Sequence, residues 1–140
     1  MRFVLDTATM VAAIRSNAGA SNRLLALALE RRLTMLVSTP LLIEYEAVMT
    51  RAEHLSASGL TAAEVGVVLD AVAATAEPVR LAFLWRPAAR DPDDDMVLET
   101  AVNGQADAIV TFNKRDFVMV AERFGVRVIS PGEAVQEIRR

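Results

Sequence analysis

Of the 18 acidic residues in this chain of 140, a few stand where a carboxylate can do chemistry. Asp6 ends the apolar run Phe3-Val4-Leu5, and Glu44 lies early in the segment that follows Met35-Leu36-Val37. Asp91, Asp93, Asp94 and Asp95 crowd the stretch DPDDD, and Asn113 and Asp116 follow Ala108-Ile109-Val110-Thr111. Taken singly, each has a structural explanation. Asp and Asn cap helices, and an acid in a first helical turn gains roughly 0.3–1 kcal/mol from the helix dipole. The DPDDD run exceeds that need, because one cap and one dipole partner do not require four like charges. Close carboxylates repel unless a proton or cation intervenes, so their convergence points to a divalent metal. Mg²⁺ and Mn²⁺ take hard oxygen ligands, and this chain has no cysteine and a single histidine, His54. The sequence places His54 in a solvated loop, RAEHLSASG, which speaks against zinc.

Such acids need a scaffold that brings them together. The chain alternates apolar runs with helical patterns: strands at Phe3–Leu5, Met35–Val37, Ala108–Thr111 and Val126–Ile129, and a hint of one at Val79, Leu81 and Phe83. Between them lie GASNRLLALALERRLT, with Ser21 as a candidate cap, and a helix capped by Thr39 with Pro40 in its first turn. Further helices are read from a Thr61/Glu64 capping box, from DPDDD to the stop at Asn103-Gly104, from NKRDFVMVAERFG closing on Gly125, and from a Ser130/Glu133 box behind Pro131. This alternation predicts a three-layer α/β/α sandwich with a central parallel sheet, in one domain over 1–140. Ligands of such sheets bind beyond the carboxyl ends of the strands, where the strand order reverses. The candidate acids follow strands for that reason.

Composition narrows the classes. With 53% hydrophobic residues the chain can bury a substantial core. No apolar run approaches the roughly 20 residues of a spanning helix, and the start lacks a signal-peptide pattern, so a cytoplasmic protein without membrane association is expected. The absence of cysteine removes disulfides, thiolate zinc sites and cysteine nucleophiles. A net charge of −3 excludes coating of nucleic acid by bulk electrostatics but not a local basic rim. Lys114 is the lone lysine among 15 basic residues. Arginine suits phosphate through its planar fork, although codon usage explains such a bias equally well.

Four segments carry a more specific likeness. FVLDT, LLIEYEAVMTR, RDPDDDMVLETA and ADAIVTFNKRDF resemble, in order, the four motif blocks of the PIN-domain family. Within it they are most similar to the branch of toxins from bacterial toxin–antitoxin modules, the relatives of VapC-type toxins. The match is poorest between Leu55 and Arg90. The resemblance implies an Mg²⁺- or Mn²⁺-dependent endoribonuclease that hydrolyses phosphodiesters to a 5′-phosphate and a 3′-hydroxyl. It also implies an antitoxin partner and a homodimer. Carried over by position, it makes Asp6, Glu44, Asp95 and Asp116 the metal-binding and catalytic acids, with Asp94 the rival of Asp95. Glu99 lies one helical turn after Asp95 and is either a further ligand or a surface acid. Asn113, Lys114 and Arg115, with Arg15 nearby, are the candidates for holding the RNA backbone.

Two places depart from the pattern. Many relatives read Asp-Thr-Asn after the first strand, where this chain has Ala8; many read Thr-Gly-Asp after the fourth, where it has Thr111-Phe112-Asn113. An amide at position 8 would orient Asp6 or a metal-bound water, so Ala8 bears on metal affinity. Ala8 also removes the second aspartate that a haloacid-dehalogenase-type phosphatase needs. A receiver domain lacks its phosphoacceptor here. A PIN-like binding module without activity is the remaining alternative.

Overall fold

The three central strands of this chain are short because each is a mostly buried apolar run bounded by polar residues. In the computed structural model, which describes residues 1–82 and 92–139, β1 (Arg2–Leu5), β2 (Thr34–Val37), β3 (Glu77–Pro78), β4 (Ala108–Val110) and β5 (Arg127–Ile129) form one sheet. The order is β3-β2-β1-β4-β5, and every pairing is parallel. Phe3 is in register with both Met35 and Ala108, and Leu5 with Val110. The chain leaves β1 toward β2 on one side and returns later to β4 on the other. The sheet thus reverses beside β1, and the residues after β1 and β4 stand at its switch point.

The helices are α1 (Thr7–Arg15), α2 (Ala20–Leu29), α3 (Thr39–Met49), α4 (Ala52–Ser58), α5 (Ala62–Thr75), α6 (Pro92–Asn103), α7 (Val118–Arg123) and α8 (Pro131–Arg139). They flank the sheet as the alternation of elements predicts. Phe3, Leu5, Leu24, Met35, Leu36, Tyr45, Leu98, Ile109 and Phe117 are fully buried or nearly so and make the centre of the core. Among the described residues no single helix is long and apolar enough to cross a membrane.

Local chemistry explains the helix boundaries. The Thr61/Glu64 box is present: Glu64 N–H donates to Thr61 Oγ1 at 3.1 Å, and Thr61 N–H to Glu64 Oε1 at 3.0 Å. Ser130 and Glu133 make the same reciprocal pair at 3.1 Å in both directions. Gly125 supplies the left-handed residue after α7, at φ +71°. Gly104 serves another purpose. A Cβ there would meet Val79 Cγ2 at 2.8 Å and the Thr100 carbonyl at 2.9 Å, while Gln105 takes the positive φ of 52°.

Several expectations need correction. The sequence pattern gives no helix over Thr7–Arg15, because Thr7-Ala8-Thr9 reads as polar run-out; buried Met10, Val11 and Ile14 supply the apolar face of α1. Ser21 is buried inside α2, whose cap is Gly19, and α3 is capped by Ser38, one residue before Thr39. His54 lies on α4, not in a loop. The hinted strand at Val79 is the two-residue β3 ending at Pro78, with Val79 N–H continuing to the Val37 carbonyl at 2.9 Å. The helix after β4 is broken into a 3₁₀ turn at Lys114–Asp116 and then α7. Phe83 and Asp91 lie outside the described residues.

Candidate active site

The turn from β1 into α1 has no intervening loop, and that brevity places Asp6. Asp6 is the N-cap of α1, at φ −71° and ψ 167°, and its backbone N–H still bonds the Val110 carbonyl of β4 at 3.0 Å. One side-chain oxygen accepts from Thr9 N–H at 2.8 Å. The other accepts from the Thr111 hydroxyl at 2.5 Å. Thr111 Oγ1 in turn accepts from Asn113 N–H at 2.9 Å, so the turn after β4 is shaped around the same carboxylate. Thr111 is thus the counterpart of Asp6 on the neighbouring strand. The sequence showed only that it follows an apolar run.

Burial raises the Asp6 pKa above the ordinary aspartate value, and it is the largest influence. The bonds from Thr111 and Thr9 pull the other way, and the nearby charge of Asp116 adds to the rise. A carboxylate that is buried, oriented and reluctant to ionise gains when a cation is supplied. Tyr45 supports the same corner from α3. Its hydroxyl donates to the Leu5 carbonyl at 2.5 Å, and burial, with Asp6 beside it, pushes the phenol well above its usual range. Tyr45 therefore stays a neutral donor. At the end of β2, the Ser38 hydroxyl meets Thr100 Oγ1 at 2.7 Å, and Thr100 donates to the Met96 carbonyl at 2.7 Å, fastening α3 to α6.

These elements enclose a cavity of about 330 Å³. Asp6, Glu44, Asp94 and Asp116 line it, with Ala8 and Asn113 among their neighbours, and Arg51 and His54 enter from α4. A smaller apolar cavity of about 110 Å³ between β2, α3 and α5 lacks any carboxylate, so the chemistry belongs to the acidic one.

Asp95 was expected as the third acid, but Asp94 lines the cavity. Asp95 is only 2% exposed and Glu99 is fully buried. One residue on a helix is a rotation of about 100°, which separates Asp94 from Asp95 and puts Glu99, four residues on, beneath Asp95. Lys114 is engaged in an ion pair with Glu133 of α8, and Arg115 is exposed and outside the cavity lining. Arg15 reaches His54 Nδ1 at 3.5 Å. Arg51 and His54 were missed as lining residues because their positions depend on the corner between α3 and α4, which no spacing rule foretells.

The donor set fits a hard cation in kind: four carboxylates and an amide, without sulfur. Among the described residues no three of the acids close into a ready-made coordination group. They stand on four separate elements of the chain.

A parallel sheet with carboxylates gathered at its switch point defines a class of α/β protein with an acidic site at the strand ends. Within that class, a family model described as PIN domain matches residues 2–115, and the chain belongs to the PIN-domain family. Among solved structures, a chain in the crystal structure of VapBC2 from Rickettsia felis, bound to a DNA fragment from their promoter, shares the fold. Its TM-score is 0.64 at 16% sequence identity, over 93% of this chain and 98% of that one. Comparison with curated proteins finds no match.

Proposed function

We propose that this PIN-domain protein is a metal-dependent endoribonuclease and the toxin of a toxin–antitoxin pair. The observation that carries the reading is the convergence of Asp6, Glu44, Asp94 and Asp116 on one cavity at the switch point of the sheet. Those four side chains would hold Mg²⁺ or Mn²⁺, with Asp94 in the place the motif left open between two neighbours. A bound divalent cation supplies charge neutralisation at a phosphate and a lowered pKa for water. The chain's own residues do the rest. Asp6 presents an oriented carboxylate because Thr9 and Thr111 fix both of its oxygens. Tyr45 holds the β1 end in place from below, and Asn113 offers an amide at the cavity wall.

No histidine–serine or cysteine nucleophile is needed for hydrolysis by water, and the chain has no cysteine. The antitoxin partner is supported by the shared fold with a chain of the VapBC2 complex. One observation favours a second reading, a binding module of reduced activity. Ala8 is exposed on the cavity and brings no polar atom where relatives carry an amide.

The test compares cleavage of single-stranded RNA by the wild type and Asp6→Asn, in Mg²⁺ or Mn²⁺ and in EDTA. Cleavage that needs both metal and Asp6 is expected. Cleavage indifferent to both would overturn the proposal, and a wild type that binds RNA without cutting it until Ala8→Asn is introduced would favour the second reading.

A further inference from the structure

We propose that Arg51 is the phosphate grip of the cavity, holding the backbone of single-stranded RNA beside the carboxylates. The inference rests on the nuclease reading and adds the group by which a polyanion is kept at an acidic site. Four carboxylates repel an RNA strand, and a cationic side chain facing the same space offsets that repulsion.

Among the described residues, the other basic candidates from the sequence are otherwise placed. Lys114 is paired with Glu133. Arg115 lies outside the lining of the cavity. Arg15 points its guanidinium at His54 Nδ1. His54 lines the cavity with its Nε2 3.8 Å from Glu53 Oε1.

Arg51 differs from all of these. Its side chain is exposed and lines the cavity, and among the described residues no carboxylate pairs with it. Its backbone is fixed on both sides, with its N–H on the Val48 carbonyl at 3.1 Å and its own carbonyl accepting from His54 and Leu55 at 2.9 and 3.0 Å. Glu44, Val48 and Arg51 all line the cavity, at spacings of four and three residues. Arg51 lies beyond the end of α3, at the N-cap of α4, so it enters the cavity from the α3–α4 corner and not from the helix that carries Glu44. A planar fork with two parallel donors suits a phosphate diester at such a point.

The test measures binding of a short fluorescein-labelled single-stranded RNA by anisotropy in EDTA, where no cleavage occurs, across a salt series. The proteins are wild type, Arg51→Ala, Arg51→Lys and Arg32→Ala. Arg32 is an exposed arginine just before β2, at the opposite end of the sheet, and controls for net charge. Arg51→Ala is expected to weaken binding about tenfold and to lower the log–log salt slope by about one, with Arg51→Lys intermediate and Arg32→Ala unchanged. Equal binding by wild type and Arg51→Ala, an equal loss in Arg32→Ala, or no RNA binding by wild type would overturn the inference. RNA binding that depends on Arg51 without cleavage in Mn²⁺ would support the grip while removing the nuclease reading. Loss of binding to a co-expressed protein partner alone, with RNA binding intact, would assign Arg51 to a protein interface instead.

Discussion

The two ends of the sheet use charge in opposite ways. At the amino end, Arg2 donates to both carboxylate oxygens of Glu77, at 3.0 and 2.5 Å, and to the Gly104 carbonyl at 2.7 Å, while its backbone N–H bonds Asp107 at 2.8 Å. Arg127 and Glu137 form a second two-pronged pair at 2.5 and 3.2 Å. At the carboxyl end, acids from four elements face one cavity, and Asp6 accepts from a hydroxyl and a backbone amide. One end is neutralised from within the chain. The other turns its carboxylates toward a shared cavity, and the difference separates a structural edge from a candidate site.

Substitutions should divide along that line. The largest effect is expected at the carboxyl end, where Asp94→Asn should lower RNA cleavage in Mn²⁺ by more than about a hundredfold, since even supporting residues of metal ligands are worth 10–100-fold. Cleavage rates for Asp94→Asn close to those of wild type would return the third ligand to Asp95. At the amino end, Gly104→Ala should cost about 1–3 kcal/mol in urea unfolding, because the new Cβ meets a backbone oxygen at 2.9 Å. Tyr45→Phe strands the buried Leu5 carbonyl and should cost about 1–2 kcal/mol by the same measurement.

Protonation sharpens the contrast further. The folded pKa of Asp6 is raised, so its contribution to stability is present below the unfolded value and lost as pH rises through the folded one. In EDTA at neutral pH, Asp6→Asn should therefore melt at a higher temperature than wild type, and the advantage should vanish at acid pH. Glu133 behaves oppositely. Lys114 holds it down to about 2, so its contribution is present above the unfolded pKa and lost as pH falls through about 2. That pair is solvent-exposed, and Lys114→Ala should change unfolding free energy by less than about 1 kcal/mol.

The sequence made the carboxyl end more legible than the path to it. Strand runs such as Phe3–Leu5 and Ala108–Val110 are continuous apolar segments, and the two capping boxes state their own geometry, so the parallel architecture was readable. The helix that Asp6 starts was not, since Thr7-Ala8-Thr9 carries no helical pattern until Met10 and Val11 are buried behind it. The choice between Asp94 and Asp95 hangs on a rotation of one residue, which a run of identical side chains cannot express. Arg51 and His54 required the α3–α4 corner, and the bend of 86° between α4 and α5, with Gly59 at φ +74°, is set by tertiary packing rather than by periodicity.

The most direct test of the account is the loss of the free Mn²⁺ signal in electron paramagnetic resonance as protein is added. Wild type is predicted to bind Mn²⁺, with binding weakened strongly in Asp6→Asn and Glu44→Gln and unchanged in Glu77→Gln at the amino end. Equal Mn²⁺ binding by all four proteins, or none by wild type, would contradict the claim that the cavity is a cation site.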